Sequence, residues 1–398
     1  MAVTAELRTM RKIPPFLLLD AFRGLAALWV VFYHSSMTFL DNNPGFVAEP
    51  WYAVSRTGQL GVVLFFVISG YCITGAAYSA IRSKQSLRHY AMDRIRRIYP
   101  PYLATCLIAT GVLILAILAR KNGMVFPANY YSPPDPASGE FWFATLLLLQ
   151  VELHQFCLVM VFWTLCYEVV FYALVGVFLF LARVYSERRT TPTPAISLFF
   201  GAMGITTQFS LLWLIVSPMS CPFPFDRWYQ FGLGALLFQL VAARSLPEPE
   251  IKAATRQARE QIFIGGILTL FFAILHNLDG APGHPSTRIQ AIACLTFMGL
   301  LWLLHPHERR LAHAKIMHPL MWLGTISYSL YLTHTITLPF TTTGLRYLGF
   351  DQRWYVVTFL VHIAISILGG WIFFLAVERH FISSRQKKRV KEELIELV

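Results

Sequence analysis

The chain has 398 residues, of which 56% are hydrophobic, 15% aromatic and only 14% charged, and its mean hydropathy is +0.53. Soluble domains carry about 25% charged residues, so this composition excludes a soluble globular protein and requires an integral membrane one. The 33 Lys and Arg outnumber the 21 Asp and Glu, an excess that in a membrane protein reports topology and not nucleic-acid binding, because Lys and Arg collect on the cytoplasmic side.

A helix needs about 20 predominantly apolar residues to cross the hydrocarbon core. Ten candidate runs lie near 16–39, 58–80, 99–119, 158–182, 195–217, 228–243, 262–277, 289–305, 318–340 and 354–377. The fold expected is all-α, a polytopic bundle of about ten transmembrane helices. It forms a single membrane-embedded domain over 1–398, with its core at about 16–381 and a basic cytoplasmic tail at 382–398. No cleavable signal peptide is expected, since the first run is long enough to span and lacks a small-residue cleavage site.

The first run, LDAFRGLAALWVVFYHSS, contains Arg23 and His34. Eleven residues are three helical turns plus about 20°, so both side chains share one face about 16 Å apart along the axis. An ionisable group inside a span costs about 2.5–3.5 kcal/mol on insertion scales, which makes it a functional candidate by default. The structural alternative is that Arg23 pairs with Asp20 while His34 makes a helix contact. Before the third run the chain reads DRIRRIYPPYL, where Arg94 and Arg97 lie on one face if the helix begins there. Guanidiniums suit phosphates through bidentate geometry and a charge that does not titrate; ordinary cytoplasmic anchoring is the alternative.

Phe141–Leu153 is too short to span comfortably and is read as an interfacial or re-entrant helix. The fourth run carries FWTLCYEVVFY, in which Glu168 is the sole carboxylate well inside a span. An unpaired carboxylate there protonates or finds a cationic partner, with His34 and Arg23 as candidates. The ninth run carries SYSLYLTHTI, whose Ser327, Ser329, Tyr331 and His334 either bind a polyhydroxylated ligand or hydrogen-bond between helices. Trp163, Ser329, Tyr331 and His334 form the candidate substrate-binding set. The six cysteines show no CxxC spacing and no His at ligand spacing, so neither a metal site nor a disulfide framework is expected.

With the short segment kept out of the count, 25 of the 33 Lys and Arg fall on one side and 7 on the other, and Arg23 lies within a helix. This asymmetry puts both termini and the 81–97 loop in the cytoplasm, and 120–157 and 276–288 outside.

In these segments the chain resembles the acyltransferase-3 family of integral membrane acyltransferases, over about residues 18–381. LDAFRGLAALWVVFYHS resembles the family's opening motif, GVVLFFVISGYCIT its second-helix motif and RIRRIYPPY its arginine-rich element. FWTLCYEVVFY, GTISYSLYLTHT and VERHF resemble three later motifs, the last with His380 where proline is usual. The resemblance implies transfer of an acyl group, commonly acetyl, from cytoplasmic acyl-CoA to a hydroxyl, often on a surface or secreted glycan. It implies His34 as the catalytic residue, with Arg23 essential nearby and Arg94 and Arg97 on the CoA phosphates. Some members carry a fused extracytoplasmic esterase-like domain. None is recognisable here, so transfer is expected to finish in the membrane domain or on a separate extracytoplasmic partner.

On this reading acyl-CoA, most simply acetyl-CoA, is a co-substrate, and no cofactor is permanently bound. Glu168 would orient the His34 imidazole, which acts either as general base or as nucleophile through an acyl-imidazole. The rival reading from the residues alone is a proton-coupled transporter of sugars or lipid-linked glycans. The pseudo-symmetric halves that such a carrier often shows are not apparent.

Overall fold

The computed structural model describes residues 16–43, 49–123, 135, 137–187, 193–217, 220–245, 249–275 and 287–382. These form helices and their connections: α1 (Leu18–Asn42), α2 (Glu49–Arg56), α3 (Leu60–Arg82), α4 (Leu87–Lys121), α5 (Gly139–Leu147), α6 (Phe162–Glu187) and α7 (Thr193–Val216). There follow α8 (Phe225–Ser245), α9 (Pro249–Leu275), α10 (Thr287–Leu304), α11 (Glu308–Ala312), α12 (His318–Thr325), α13 (Ser327–Tyr347) and α14 (Tyr355–Ala376), with short 3₁₀ turns between several of them. The protein is all-helical among the described residues.

Ten of these helices have 18 residues or more and overlie the ten apolar runs. Six stretches, containing α3, α4, α6, α7, α10 and α14, are both long and apolar enough to cross a membrane. Of the other long helices, α1, α8 and α13 are diluted by polar residues. Those polar residues include the two histidines of the site described below. Outward-facing Leu107, Leu115, Ile205, Phe263, Leu303 and Leu360 are exposed, as a lipid-facing surface demands.

Two boundaries differ from the sequence expectation. Helix α4 begins at Leu87, well before residue 99, and runs through Pro100 and Pro101, so Arg94 and Arg97 lie within one continuous helix. The ninth run is broken: α12 stops at Thr325 and α13 starts at Ser327, with the Ser327 hydroxyl donating to the Gly324 carbonyl (2.8 Å). The break falls where α12 presses on α1. A Cβ on Gly324 would lie 1.9 Å from the Asp20 carbonyl oxygen, and one on Gly24 would lie 2.2 Å from that of Leu320. Only glycine allows backbones this close, the small-residue packing expected between membrane helices.

Helix α5 has nine residues, about 14 Å in length, too short to span. Its capping Ser138 hydroxyl accepts the Phe141 N–H (3.3 Å). The irregular chain after it is tied down inside the protein: the Tyr102 hydroxyl donates to the Thr145 carbonyl, and fully buried Gln150 donates to Tyr102 (3.1 Å). Non-helical backbone at membrane depth is tolerated only when protein encloses it in this way. Arg8, Arg11 and Lys12, the loop residues Arg188 and Arg189, and the 383–398 tail used in the topology count lie outside the described residues, as do 124–134 and 276–286.

Candidate active site

Helices α1, α12, α13 and α14 pack together, and their polar residues meet at two levels. At the first, His34 Nδ1 lies 3.0 Å from His334 Nε2, and His334 Nδ1 lies 3.1 Å from the Leu330 carbonyl oxygen. A carbonyl can only accept, so His334 carries its proton on Nδ1. In a neutral imidazole the other nitrogen is then an acceptor. It follows that His34 donates from Nδ1 and that His34 Nε2 holds a free lone pair. This tautomer assignment follows from the hydrogen-bond network. His334 is fully buried, whereas His34 keeps accessible surface. The Tyr331 ring stands 5.9 Å from His334 and its hydroxyl meets Thr164 Oγ1 at 2.9 Å.

The second level is charged and lies about one to two turns nearer the α13 N-terminus. Glu378, from the closing VERHF segment, accepts from the Ser329 N–H (3.1 Å) and hydroxyl (2.5 Å). Arg97 is within electrostatic reach of Glu168, Glu378 and the Tyr172 hydroxyl, and Arg23 faces the same Glu378. Arg23 also pairs with Asp20 at 3.8 Å, the alternative that the sequence left open. Arg94 stacks near Tyr90 (6.0 Å), and its buried Nε has no hydrogen-bond partner among the described residues. Cys72 keeps an exposed thiol while facing Arg23, Asp20, Arg94 and Arg97. A mid-helix residue within electrostatic reach of these groups belongs to the charged level and not to the lipid-facing surface.

Eight of the nine sequence candidates are therefore divided between these levels, while Trp163 lies beside Arg227. His34, His334 and Tyr331 come together, with Thr164, the neighbour of Trp163, against Tyr331. Arg23, Arg94, Arg97, Glu168 and Ser329 belong to the charged level. Glu168 does not orient His34: its carboxylate accepts from Ser69 Oγ (3.1 Å) and from the Tyr172 hydroxyl, and makes no hydrogen bond to His34. Glu168 and His34 lie at different depths, and His334 occupies the place expected of the carboxylate.

The sequence reading missed Glu378, Ser69, Cys72 and His362. His362 is fully buried, with Ser35 Oγ 2.8 Å from Nδ1 and Thr342 Oγ1 2.9 Å from Nε2. Both of its nitrogens are occupied, so it joins helices and has no lone pair to offer. Ser69, Cys72 and Glu378 all fall within quoted motifs, and that was the available signal.

A family model described as an acyltransferase domain (acyltransferase-3) matches residues 16–375. The chain belongs to this acyltransferase family. It is similar to the peptidoglycan O-acetyltransferase OatA of Listeria monocytogenes, with 22% identity over 355 residues, 85% of this chain and 51% of that protein. It is also similar to a provisionally named O-acetyltransferase of Staphylococcus aureus strain COL, at 24% over 390 residues, 94% of this chain and 58% of that one. A provisionally named membrane-bound transacylase of Komagataeibacter xylinus shares 24% over 322 residues, 79% of this chain and 71% of that protein. The chain thus spans little more than half the length of the first two relatives. No solved structure gives a significant match.

Proposed function

We propose that this family member is a membrane O-acyltransferase that moves an acyl group, in the first instance acetyl, from cytoplasmic acyl-CoA to a hydroxyl of a glycan or other surface or secreted acceptor. The observation that carries this reading is the Leu330–His334–His34 chain, which leaves Nε2 unprotonated on a His34 side chain that is only partly buried. That nitrogen has two uses in acyl transfer. It can take the proton from an acceptor hydroxyl as the oxygen attacks the thioester carbonyl, the C–S bond then breaking and the imidazolium protonating the departing CoA thiolate, or attack the carbonyl itself to form an acyl-imidazole with loss of the same thiolate. In both routes His34 becomes a cation while Nδ1–H continues to donate to His334, so the relay serves each.

The donor would enter at the charged level. Arg94, with its unpartnered buried N–H, and Arg97 supply donors for the CoA phosphates. Arg23 continues this charge along α1 toward His34, a rise of about 16 Å that an extended pantetheine arm can follow. A cell-membrane location, cytoplasmic termini and ten spans complete the reading and rest on the Lys and Arg asymmetry.

The test is incubation of purified protein with acetyl-labelled acetyl-CoA. Release of CoA by the parent and its loss in His34→Ala, with acetyl-CoA binding retained, is expected. Label recovered on His34 in the absence of acceptor identifies the nucleophilic route. Parental CoA release by folded His34→Ala overturns the reading.

A further inference from the structure

Beyond the histidines, on the side away from Arg23, Arg94 and Arg97, lies a third polar cluster that the reading above does not use. It joins the first turns of α6 and α8 to α10. The Tyr167 hydroxyl donates to Asp226 Oδ2 (2.7 Å), and Arg227 Nε lies 3.7 Å from the same oxygen. The Arg227 guanidinium stands 5.6 Å over the Trp163 ring and donates to the Gln290 amide oxygen. Gln230 donates to that oxygen (3.4 Å) and to the Tyr229 hydroxyl (3.1 Å).

Two features point to a ligand. Gln230 is fully buried, yet its amide oxygen has no partner among the described residues. That oxygen is an acceptor, so the complementary group is a hydrogen-bond donor. The rim remains open, with the Asp226 and Arg227 side chains 27% and 30% exposed. A buried acceptor without a partner costs about 1–3 kcal/mol, which a hydroxyl-rich ligand would recover. Trp163 offers an aromatic edge and Arg227 donors for ring and hydroxyl oxygens, a combination suited to a sugar.

Its position fits an acceptor. Thr164 follows Trp163 and bonds Tyr331, which packs on His334, so the cluster adjoins the histidine level. Glu168, five residues further along α6, belongs to the arginine level. Donor and acceptor would approach His34 from opposite ends.

We propose that Trp163, Asp226, Arg227 and Gln230 form the subsite for a carbohydrate acceptor; as an acceptor site it rests on the acyltransferase reading. The test is equilibrium binding of chitotetraose and cellotetraose to the full-length protein in nanodiscs, comparing the parent with Asp226→Asn and Trp163→Phe. Acetyl-CoA binding and CoA release are measured on the same samples. Saturable binding of one sugar by the parent, weakened about tenfold or more in either folded variant while acetyl-CoA binding stays within about twofold, is expected. Trp163→Phe keeps the ring packing on Phe66 (6.5 Å) and so provides a folded variant if Asp226→Asn unfolds. No saturable sugar binding by the parent, or sugar binding unchanged in both variants, overturns the subsite. A parent that binds sugar at this cluster but releases no CoA from acetyl-CoA overturns the acyltransferase reading and supports the carbohydrate site.

Discussion

Glu378 holds Ser329, 49 residues earlier in the chain, through both its backbone N–H (3.1 Å) and its hydroxyl (2.5 Å). Ser329 lies in the first turn of α13, where N–H groups have no intrahelical partner. Glu308 does the same for α1, accepting the Leu17 N–H at 2.9 Å. The helices that carry His34 and His334 therefore both start on a carboxylate, the charge that the positive end of a helix dipole favours. His34 and His334 approach each other from two helices whose starting points are both fixed in this way.

Glu378→Ala is expected to lower thermal stability, because it strands a buried N–H and hydroxyl at about 1–3 kcal/mol per unsatisfied group. Glu378→Gln retains an acceptor for Ser329 and should lose less. The measurement is thermal unfolding in detergent for the three proteins. Equal melting temperatures would show that the Glu378–Ser329 contact contributes nothing to α13.

Replacing Arg94 or Arg97 with Ala should weaken acetyl-CoA binding by about 10- to 100-fold, the worth of a hydrogen bond to a charged group. Lys should restore only part of the loss, since the fork of the guanidinium is missing. The deficit should shrink for a donor analogue without phosphates. Equal dissociation constants for parent and variants, measured by calorimetry, would leave the arginines as topological anchors.

Cys72 reports on the same charged level. In a background where Cys72 is the remaining cysteine, a negatively charged methanethiosulfonate reagent should label it faster than a positively charged one, because Arg23, Arg94 and Arg97 surround the thiol. Bound CoA should slow that labelling. Labelling rates that are indifferent both to reagent charge and to CoA would place the donor elsewhere.

How much of this was legible in the sequence depends on whether the signal is local. Helix positions were legible because a spanning run announces itself by length, and the shared face of Arg23 and His34 because helical spacing fixes it. The partner of His34 was not. His334 lies 300 residues away, and nothing in local spacing prefers it to Glu168. The wrong pairing came from giving charge more weight than depth. Asp226 lay outside the apolar run and Arg227 counted merely as an outer-side charge, while Gln230 and Gln290 carry none and escape a search for ionisable groups. Glu378 stood in a recognised motif, but its role requires α14 to fold back onto the start of α13.

Two buried histidines should fail differently. His362 is held at both nitrogens by Ser35 and Thr342, so His362→Leu should lower the melting temperature by stranding the Ser35 hydroxyl and leaving Thr342 with only the Leu338 carbonyl. The molecules that remain folded should release CoA at the parental rate with an unchanged pH profile. His334 acts through His34, and its replacement must be judged by a readout that packing alone does not move. His334→Gln presents an amide oxygen that can still accept from His34 Nδ1–H and hold the lone pair on Nε2. His334→Leu removes the acceptor, so the His34 ring is free to take the other tautomer with its proton facing the acyl group. The expected order of CoA release is parent, then His334→Gln, then His334→Leu, with the last down by about 10²–10⁴-fold, the usual worth of general acid–base catalysis. The pH–rate profile should shift in both His334 variants, because the group that receives the His34 proton bond has changed, while acetyl-CoA binding stays constant. If His334→Leu is folded and releases CoA at the parental rate with the parental pH profile, the imidazole pair is a helix contact and the relay assignment fails.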